Sequence, residues 1–401
     1  MRGGSFDALR ERQFRLLFTG QIVSLFGDAV TGVALAFAVL DLTGSATDLG
    51  YVFAAKTVPL VAFLLVGGVF ADRLPRRAVM LTADVVRCGA QGAVAVLVLT
   101  HTAQIWEIVI LQAVSGTASA FFNPASTGLT PLTVSPERLQ QANALRGLSM
   151  ASTGIVGAAV SGALVAGVGA GWALAIDAAT FAVSAFFLAQ LRLPPHVKLA
   201  AQSFLGDLRE GWHEFASRTW VWVIVVAASI GNMMSSIFIV LGAVISKDSL
   251  GGAGAWATII AALGVGSLVG GIVSLRVRVR RPLFFGSSLL GFLALPTALL
   301  ALRAPVLVIA AGALLAGGGN MIFNALWETA LQQHVPPAAL SRVSAYDWFG
   351  SLAFQPLGLM IAGPAAAAFG ASTTLWISTA GILAMALLAV ATPSVRQLKA
   401  A

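Results

Sequence analysis

The chain has 401 residues, of which 58% are hydrophobic and only 10% are charged, whereas a soluble domain carries roughly 25% charged residues. A soluble fold of this length could not remove so much apolar surface from water, so the composition predicts an integral membrane protein. The formal net charge of +8 lacks the clustering with stacking aromatic residues that nucleic-acid binding uses. A nucleic-acid partner is therefore not expected.

The residue types that metal sites and enzymes need are scarce. Cys88 is the only cysteine, which excludes an internal disulfide, and the four histidines are isolated from one another in the sequence. We therefore expect no metal site. Clustered catalytic side chains and a Gly-x-x-x-x-Gly-Lys-Ser/Thr nucleotide loop are also missing from the sequence, so we expect neither an enzyme nor a cofactor.

Apolar segments long enough to cross a membrane, which requires about 20 residues, occur twelve times. The first begins directly after the charged N-terminus and has no cleavage site, so we expect it to be retained as a span. Six segments precede a polar gap and six follow it, which predicts an all-α fold of twelve transmembrane helices. In chain order, spans 1 to 12 cover residues 14–40, 48–70, 78–100, 104–128, 140–167, 171–191, 219–246, 253–275, 283–302, 305–330, 341–367 and 371–391.

The distribution of Lys and Arg predicts the orientation of these spans. If the N-terminus is cytoplasmic, nineteen of the 24 basic residues fall on the cytoplasmic side and two, Lys247 and Arg303, fall outside. Basic residues favour the cytoplasmic side of a membrane. We therefore expect both termini to be cytoplasmic, in the inner membrane of a bacterium.

The polar gap between spans 6 and 7 divides the chain into three predicted domains: a six-helix bundle at 1–191, a cytoplasmic linker at 192–218 and a second six-helix bundle at 219–401. Within the linker, Phe204, Leu208 and Trp212 fall on one helical face and Asp207 and Glu210 on the other. This pattern predicts a short amphipathic helix that lies in the membrane interface.

The two bundles share sequence features at a fixed offset of 201 residues, without a gap through spans 4 to 5 and 10 to 11. Gly116 corresponds to Gly317 and Gly157 corresponds to Gly358. The Val-x-Pro loops that begin at Val134 and Val335 are also in register. The repeat predicts two pseudo-symmetric bundles with a binding site between them, which is a known architecture of secondary transporters.

The stretch GGVFADRLPRR at 67–77, between spans 2 and 3, resembles the signature loop of the major facilitator superfamily, and the span count and the repeat agree with that resemblance over nearly the whole chain. The resemblance implies a transporter that works by alternating access, and a latch in which Asp72 meets the inner end of span 11. The alternative is that the loop only fixes the topology. The residues assigned to the latch are Gly68, Asp72, Arg73, Arg76, Arg77, Glu328 and Asp347.

Three further stretches resemble siderophore (enterobactin-type) exporters and actinobacterial multidrug pumps: LFGDAVTGVALAFAVLDLTGSATDLG, PERLQQANAL and AIDAATF. Two positions depart from the family pattern. Gln112 stands where the span 4 motif has an Arg, and Ala158 stands where the antiporter motif of span 5 has a Pro. The antiporter-like glycines of span 5 remain at Gly154, Gly157 and Gly162.

Charged residues within the spans are expensive in hydrocarbon, at least about 2.5–3.5 kcal/mol each, and so indicate a role or a partner. Asp28, near the middle of span 1, has no basic residue one turn away on its own helix, and such a carboxylate favours its protonated form. We assign proton coupling to Asp28 and Arg146. The alternatives are that Asp28 is held by hydrogen bonds or paired with Arg146, and that Arg146 pairs with its repeat-related residue Asp347.

Five more charged residues in the spans are interpreted as structural, and Glu107, near the outer surface, is one of them. Asp84 and Arg87 lie three residues apart on span 3 and can neutralise each other. Lys56 and Asp177 lie towards the outer ends of their predicted spans, and we expect Lys56 to snorkel to the surface.

By analogy with the family, spans 1, 4, 5, 7, 10 and 11 line the central cavity. Amides beside aromatic side chains suit amphipathic molecules. We therefore expect a monomeric, proton-coupled antiporter in the lipid bilayer that exports small amphipathic compounds (multidrug efflux); the alternative is a dedicated exporter of one siderophore or other metabolite. The residues assigned to the substrate cavity are Gln21, Gln112, Asn123, Asn232, Asn320, Asn324, Trp327, Trp348 and Gln355.

Overall fold

The structure is a computed structural model that describes residues 7–193, 204–277 and 279–399. Within these ranges, the side chains of residues 64–73, 140, 151, 204–208, 210, 337, 338, 341 and 342 lie outside the description. All regular secondary structure in the described part of the chain is helical.

The helices follow the predicted spans closely. Spans 1 to 6 are α1 (Arg12–Thr43), α2 (Ala46–Arg73), α3 (Arg76–Leu99), α4 (Ile105–Leu129), α5 (Leu139–Val168) and α6 (Ala170–Ala189). The polar gap contains α7 (Phe204–Ala216). Spans 7 to 12 are α8 (Thr219–Ile245), α9 (Ala253–Ser274), α10 (Pro282–Leu289) with α11 (Ala294–Ala301), α12 (Val306–His334), α13 (Pro337–Leu352) with α14 (Gln355–Phe369), and α15 (Ala371–Ala391), and a short α16 (Pro393–Gln397) follows.

Eleven helical segments of the described chain are long and apolar enough to cross a membrane. With α2, which is 28 residues long, the number is the twelve that the sequence predicts. Large apolar side chains such as Leu307, Phe186 and Trp106 are exposed on the helices, as expected where the surrounding solvent is lipid rather than water.

Two predicted spans are interrupted, and a proline explains each interruption. Pro296 cannot donate a hydrogen bond to the carbonyl of Phe292, and the chain forms a 3₁₀ turn over Leu290–Leu293 between α10 and α11. Pro356 likewise leaves the carbonyl of Leu352 without a helical donor, and α13 ends at Leu352. A proline inside a helix removes one backbone bond and its ring crowds the preceding turn.

The chain divides into two compact units, Met1–Leu42 with Ala55–Ala200, and Thr43–Ala54 with Ala201–Ala401. The start of α2 is therefore grouped with the second unit. The predicted bounds at 191 and 218 stay a prediction. In the second unit, α7 packs on α13: Phe215 is buried, and its ring centroid lies 5.8 Å from that of Tyr346.

The backbone supports the internal repeat. The turn between α5 and α6 has Gly169 at φ 91°, and the turn between α14 and α15 has Gly370 at φ 83°. These residues lie 201 positions apart, and both occupy the positive-φ region that favours glycine. The α5–α6 turn and the α14–α15 turn therefore have a glycine with positive φ at equivalent positions of the two units.

The repeat extends to the closest helix contacts. A side chain at Gly116 of α4 would overlap the carbonyl of Lys56 in α2, and one at Gly317 of α12 would overlap the carbonyl of Leu263 in α9. Small residues of this kind let helix backbones approach each other closely in a membrane. Each glycine therefore sets the distance between the two helices that it joins.

The packing of α12 on α9 gives a testable contrast between neighbouring glycines. We expect Gly317→Ala to destabilise the protein by about 1–3 kcal/mol, because the added methyl group meets backbone atoms that cannot move aside. The measurement is the midpoint of thermal unfolding in detergent. Gly318→Ala is the matched control, since a side chain there would meet only the carbonyl of Gly266 at 3.4 Å; equal shifts for the two variants would contradict this account.

Candidate functional site

Asp28 of α1 has two cationic partners on other helices. Lys56 Nζ from α2 lies 3.1 Å from Asp28 Oδ1, and Arg87 Nη1 from α3 lies 3.6 Å from Asp28 Oδ2. The expectation of an isolated carboxylate is therefore wrong for this structure, and Lys56 contacts Asp28 rather than only extending towards the surface. The coupling role of Asp28 stays a prediction.

Arg87 joins Asp28 to a second carboxylate. Its guanidinium also contacts Asp84, so the predicted pair on α3 is present, and both residues are buried. The guanidinium carbon lies 4.2 Å from the ring centroid of Phe122 and 4.4 Å from that of Phe181. The faces of aromatic rings stabilise a cation in a dry environment, so Arg87 is held by charge and by the two rings.

Asp177 of α6 is more deeply enclosed than its position in span 6 suggested. Its side chain accepts a hydrogen bond of 2.6 Å from Thr31 Oγ1, and the residue is 1% exposed. Within the described part of the chain, no Lys or Arg lies within ion-pair distance of it. We refer to Asp28, Lys56, Asp84, Arg87 and Asp177 as the charged cluster.

A chain of buried side chains ends on Asp177. Gln112 Nε2 donates to Gln91 Oε1 at 3.2 Å, and Gln91 Nε2 donates to Thr31 Oγ1 at 3.0 Å. Thr31 then donates to Asp177. Gln112, assigned to the substrate cavity, thus lies inside the first unit in this hydrogen-bond chain; its predicted role stays untested.

Arg146 of α5 bonds hydroxyl groups near the end of α4. Its Nη1 lies 2.7 Å from Thr130 Oγ1 and its Nη2 lies 3.2 Å from Ser126 Oγ. Ser126 also accepts a bond of 2.6 Å from Gln21 Nε2. The predicted pairing of Arg146 with Asp28 is not formed, because Asp28 has Lys56 and Arg87 instead.

The signature stretch is almost entirely helical. Only Leu74 and Pro75 separate α2 from α3. Arg76 Nη1 donates to the carbonyl of Gly128 at 2.6 Å, and Arg77 Nε donates to the carbonyl of Leu188 at 3.0 Å. These carbonyls lie at the C-terminal ends of α4 and α6, where a positive charge is favoured.

Arg76 and Arg77 therefore fasten two helix ends, in addition to any effect on topology. The side chains of Gly68, Asp72 and Arg73 lie outside the described residues, so the latch stays a prediction.

The span 5 glycines have different surroundings. A side chain at Gly157 would overlap Ala29 of α1, whereas one at Gly154 would have open space. Gly162 is buried. Beside Gly162, Ser161 Oγ donates to the carbonyl of Val30, so α5 and α1 are in close contact along this face.

The second unit contains a cavity of about 280 Å³, the second-unit cavity. Five of the nine residues assigned to the substrate cavity line it: Asn232, Asn320, Asn324, Trp327 and Trp348. Glu328 and Asp347, assigned to the latch, line the same cavity. The other four predicted residues are not among the lining residues, and their roles stay predictions: Gln21, Gln112, Asn123 and Gln355.

The second-unit cavity combines acidic and aromatic groups. Asp347 Oδ2 accepts a hydrogen bond of 2.9 Å from Trp327 Nε1, and Ser351 Oγ lies 3.3 Å from Asp347 Oδ1. Apolar residues such as Leu293 and Met385 also line the cavity, and no Lys, Arg or His is among the lining residues within the described part of the chain. No sequence signal distinguished these apolar residues, because they resemble lipid-facing positions elsewhere in the spans.

Twelve apolar helices in two related units, with a charged cluster in one and a polar cavity in the other, define a multi-pass membrane transporter. A family model described as Major Facilitator Superfamily matches residues 17–354. The chain belongs to this family, and it is a transporter rather than an enzyme.

Similar proteins agree with this assignment. The chain is 29% identical over 397 residues to "Multidrug efflux pump Tap" of Mycolicibacterium fortuitum, covering 93% of each chain. It is 26% identical over 202 residues to "Macrolide efflux protein A" of Streptococcus pyogenes, covering 50% of each. Among solved structures, the nucleoside transporter NupG superposes with a TM-score of 0.76 at 14% identity, covering 96% of this chain and 100% of that one.

The environment of Arg87 provides a second prediction. We expect Arg87→Met to destabilise the protein by about 3–5 kcal/mol, because it leaves the buried Asp84 carboxylate without its cation. The double variant Asp84→Asn/Arg87→Met should recover part of that loss, since an amide carries no charge. Thermal unfolding in detergent measures both, and a double variant no more stable than the single one would refute the pairing as the source of stability.

Proposed function

We propose that the protein is a proton-coupled antiporter that exports small amphipathic compounds by alternating access. It would work as a monomer in the cytoplasmic membrane of a bacterium, with both termini on the cytoplasmic side. The names of the efflux relatives support the direction of transport, and the second-unit cavity is the observation that carries the choice of substrate class.

The walls of that cavity suit a molecule with an apolar body and a polar or cationic group. Trp327 and Trp348 offer large aromatic surfaces, while Asp347 and Glu328 offer carboxyl groups, and no basic residue is among the lining residues that the structure describes. Its volume of about 280 Å³ is near the lower end of typical ligand pockets, roughly 300–1,000 Å³. We therefore propose that it accommodates part of a substrate.

The same cavity favours varied compounds over one fixed metabolite. Asn232 Nδ2 already donates to the carbonyl of Ser351, and Asn324 Nδ2 donates to the carbonyl of Asn320. One N–H of each amide is used within the protein, which leaves fewer directional contacts to define one ligand. A dedicated exporter of a siderophore or other metabolite is the alternative, and it would require more unengaged polar groups at fixed positions.

Proton coupling is supported by the carboxylates buried in both units. In this arrangement Asp28 is bound by Lys56 and Arg87, so we propose that it takes part in proton coupling by holding those two cations until they move. Arg146 stays a proposed participant.

The transport proposal is tested by reconstituting the protein in liposomes and imposing a pH gradient. We expect the gradient to drive uphill movement of several dyes and antibiotics of different shape. Transport of a single metabolite would favour the dedicated exporter instead. Movement of every compound at the same rate with and without the gradient would contradict proton antiport.

The cavity wall gives a prediction for substrate binding. Trp348→Ala should raise the apparent KM roughly tenfold for aromatic substrates, because the loss of one large aromatic contact weakens binding by about 1–2 kcal/mol. Trp172 is the matched control, since it is 55% exposed against 58% for Trp348 and lies in the first unit. If Trp172→Ala changed KM as much as Trp348→Ala, the cavity would not be the binding site.

A further prediction tests the proposed latch. Asp72→Asn should abolish most turnover while substrate binding is largely kept, because the latch would act on the conformational change and not on the binding site. Glu137→Gln is the control, as Glu137 is an exposed carboxylate in the turn before α5. Turnover is measured in liposomes and binding by ligand titration in detergent; an unchanged transport rate in Asp72→Asn would reduce the stretch to a topology signal.

A further inference from the structure

The charged cluster contains more acidic than basic side chains. It contains three carboxylates, Asp28, Asp84 and Asp177, but only two cations, Lys56 and Arg87. If every member were ionised, the charged cluster would carry a net charge of −1. Such a charge is costly in a low-dielectric environment, and binding of one proton would remove it.

Two of the three carboxylates have a reason to stay ionised. Asp28 lies near both cations, with Lys56 Nζ at 3.1 Å. Asp84 contacts the guanidinium of Arg87 through one of its oxygens. An opposite charge at such a distance favours the charged form of a carboxyl group.

Asp177 has no such partner among the described residues, and its hydrogen bonds come from neutral groups. Thr31 Oγ1 lies 2.6 Å from its Oδ2, and Thr180 Oγ1 lies 3.4 Å from its Oδ1. A threonine hydroxyl can donate or accept, so Thr31 can serve either the ionised or the protonated form. Asp177 is therefore the member of the cluster that can gain a proton without losing an ion pair.

The packing of α1 on α6 encloses Asp177. A side chain at Gly27 would overlap Thr180 Oγ1 and Asp177 Oδ1. Because glycine has no side chain, the backbone of α1 can lie directly over the carboxyl group of Asp177. Because Asp177 is 1% exposed, water reaches its carboxyl group only after the side chains or helices that enclose it move.

The charged and titratable groups around Asp177 come from three helices. α1 contributes Asp28, α2 contributes Lys56, and α3 contributes Asp84, Arg87 and Cys88. On α5, which also packs on α6, Arg146 is bonded to hydroxyl groups of Ser126 and Thr130. Lys56 and Arg87 are thus the cations nearest to Asp177, and both already form ion pairs with other carboxylates.

We propose that Asp177 is the proton-carrying residue of the transport cycle, and that it is protonated in the conformation described here. Asp28 then acts as a positioning residue that holds Lys56 and Arg87 away from Asp177. When those cations shift or the α1–α6 contact opens to water, the Asp177 proton leaves to water and the carboxylate is compensated by the shifted cation or by solvation. This inference rests on the proposed proton antiport for its role in transport, but not for the protonation itself.

Infrared spectroscopy of the purified protein tests the protonation directly. At neutral pH, the wild type should show the carbonyl stretch of a buried protonated carboxyl group, and Asp177→Asn should lack that contribution. Glu107→Gln is the control, because Glu107 caps the start of α4 in the same unit; it should leave the band in place.

Thr31→Val identifies which carboxyl group carries the proton. It removes the hydrogen bond to Asp177 without changing any charge, so the band should move to higher frequency. A band that does not move on this substitution would place the proton on another carboxyl group and overturn the proposal, even if Asp177→Asn failed to fold.

Transport assays test the role in coupling. We expect the gradient-driven transport rate of Asp177→Asn to be at least tenfold lower than that of the wild type, while its exchange of substrate across the membrane without a gradient is unchanged. Glu107→Gln should keep both activities. Gradient-driven transport retained by Asp177→Asn would overturn the coupling role. If the transport rate of the wild type did not depend on the pH gradient, the proposed antiport would be wrong. The infrared result would still decide whether Asp177 is protonated.

Discussion

Burial of charge in a low-dielectric environment is the constraint on which the organisation of the first unit depends. Asp28, Lys56, Asp84, Arg87 and Asp177 come from α1, α2, α3 and α6, and their partners fix how these helices meet. Arg87 is central because it contacts two carboxylates and lies between the rings of Phe122 and Phe181. A rotation of any one of these helices would separate a charge from its partner, so the proposed protonation of Asp177 would depend on the positions of these helices.

The two units share a backbone plan but differ in their polar content. The pair Gly27–Asp28 in α1 corresponds, 204 residues later, to Gly231–Asn232 in α8. Asp28 belongs to the charged cluster, whereas Asn232 lines the second-unit cavity. Similarly, Arg146 of the first unit corresponds to Asp347 of the second at the 201-residue offset. Equivalent positions of the repeat therefore have different surroundings: in the first unit they include the charged cluster, and in the second unit they line an acidic and aromatic cavity.

Much of the fold could be predicted from the sequence because membrane spans are defined by composition over about 20 residues. The twelve spans, the Asp84–Arg87 pair on one helix and the repeat all depend on local spacing. The interruption of span 11 at Leu352 was foreseeable from Pro356, although hydrophobicity alone conceals it. The cavity residues on spans 7, 10 and 11 could be predicted because amides and tryptophans stand out in apolar segments.

The remaining features depend on which faces of different helices meet, and a single sequence does not determine this. Lys56 and Arg87 are 28 and 59 residues from Asp28, so spacing could not show that they bind it. The burial of Asp177 depends on Gly27 in another helix. Arg76 and Arg77 looked like topology signals because the carbonyls that they bind lie in α4 and α6.

The proposed proton antiport requires an exchangeable proton whose release is linked to the binding of substrate. The most direct test is to add substrate to the purified protein in weakly buffered detergent at neutral pH and to follow the pH with an indicator dye. Linked binding predicts the release of about one proton per substrate molecule bound. Binding without any change in pH would contradict the account.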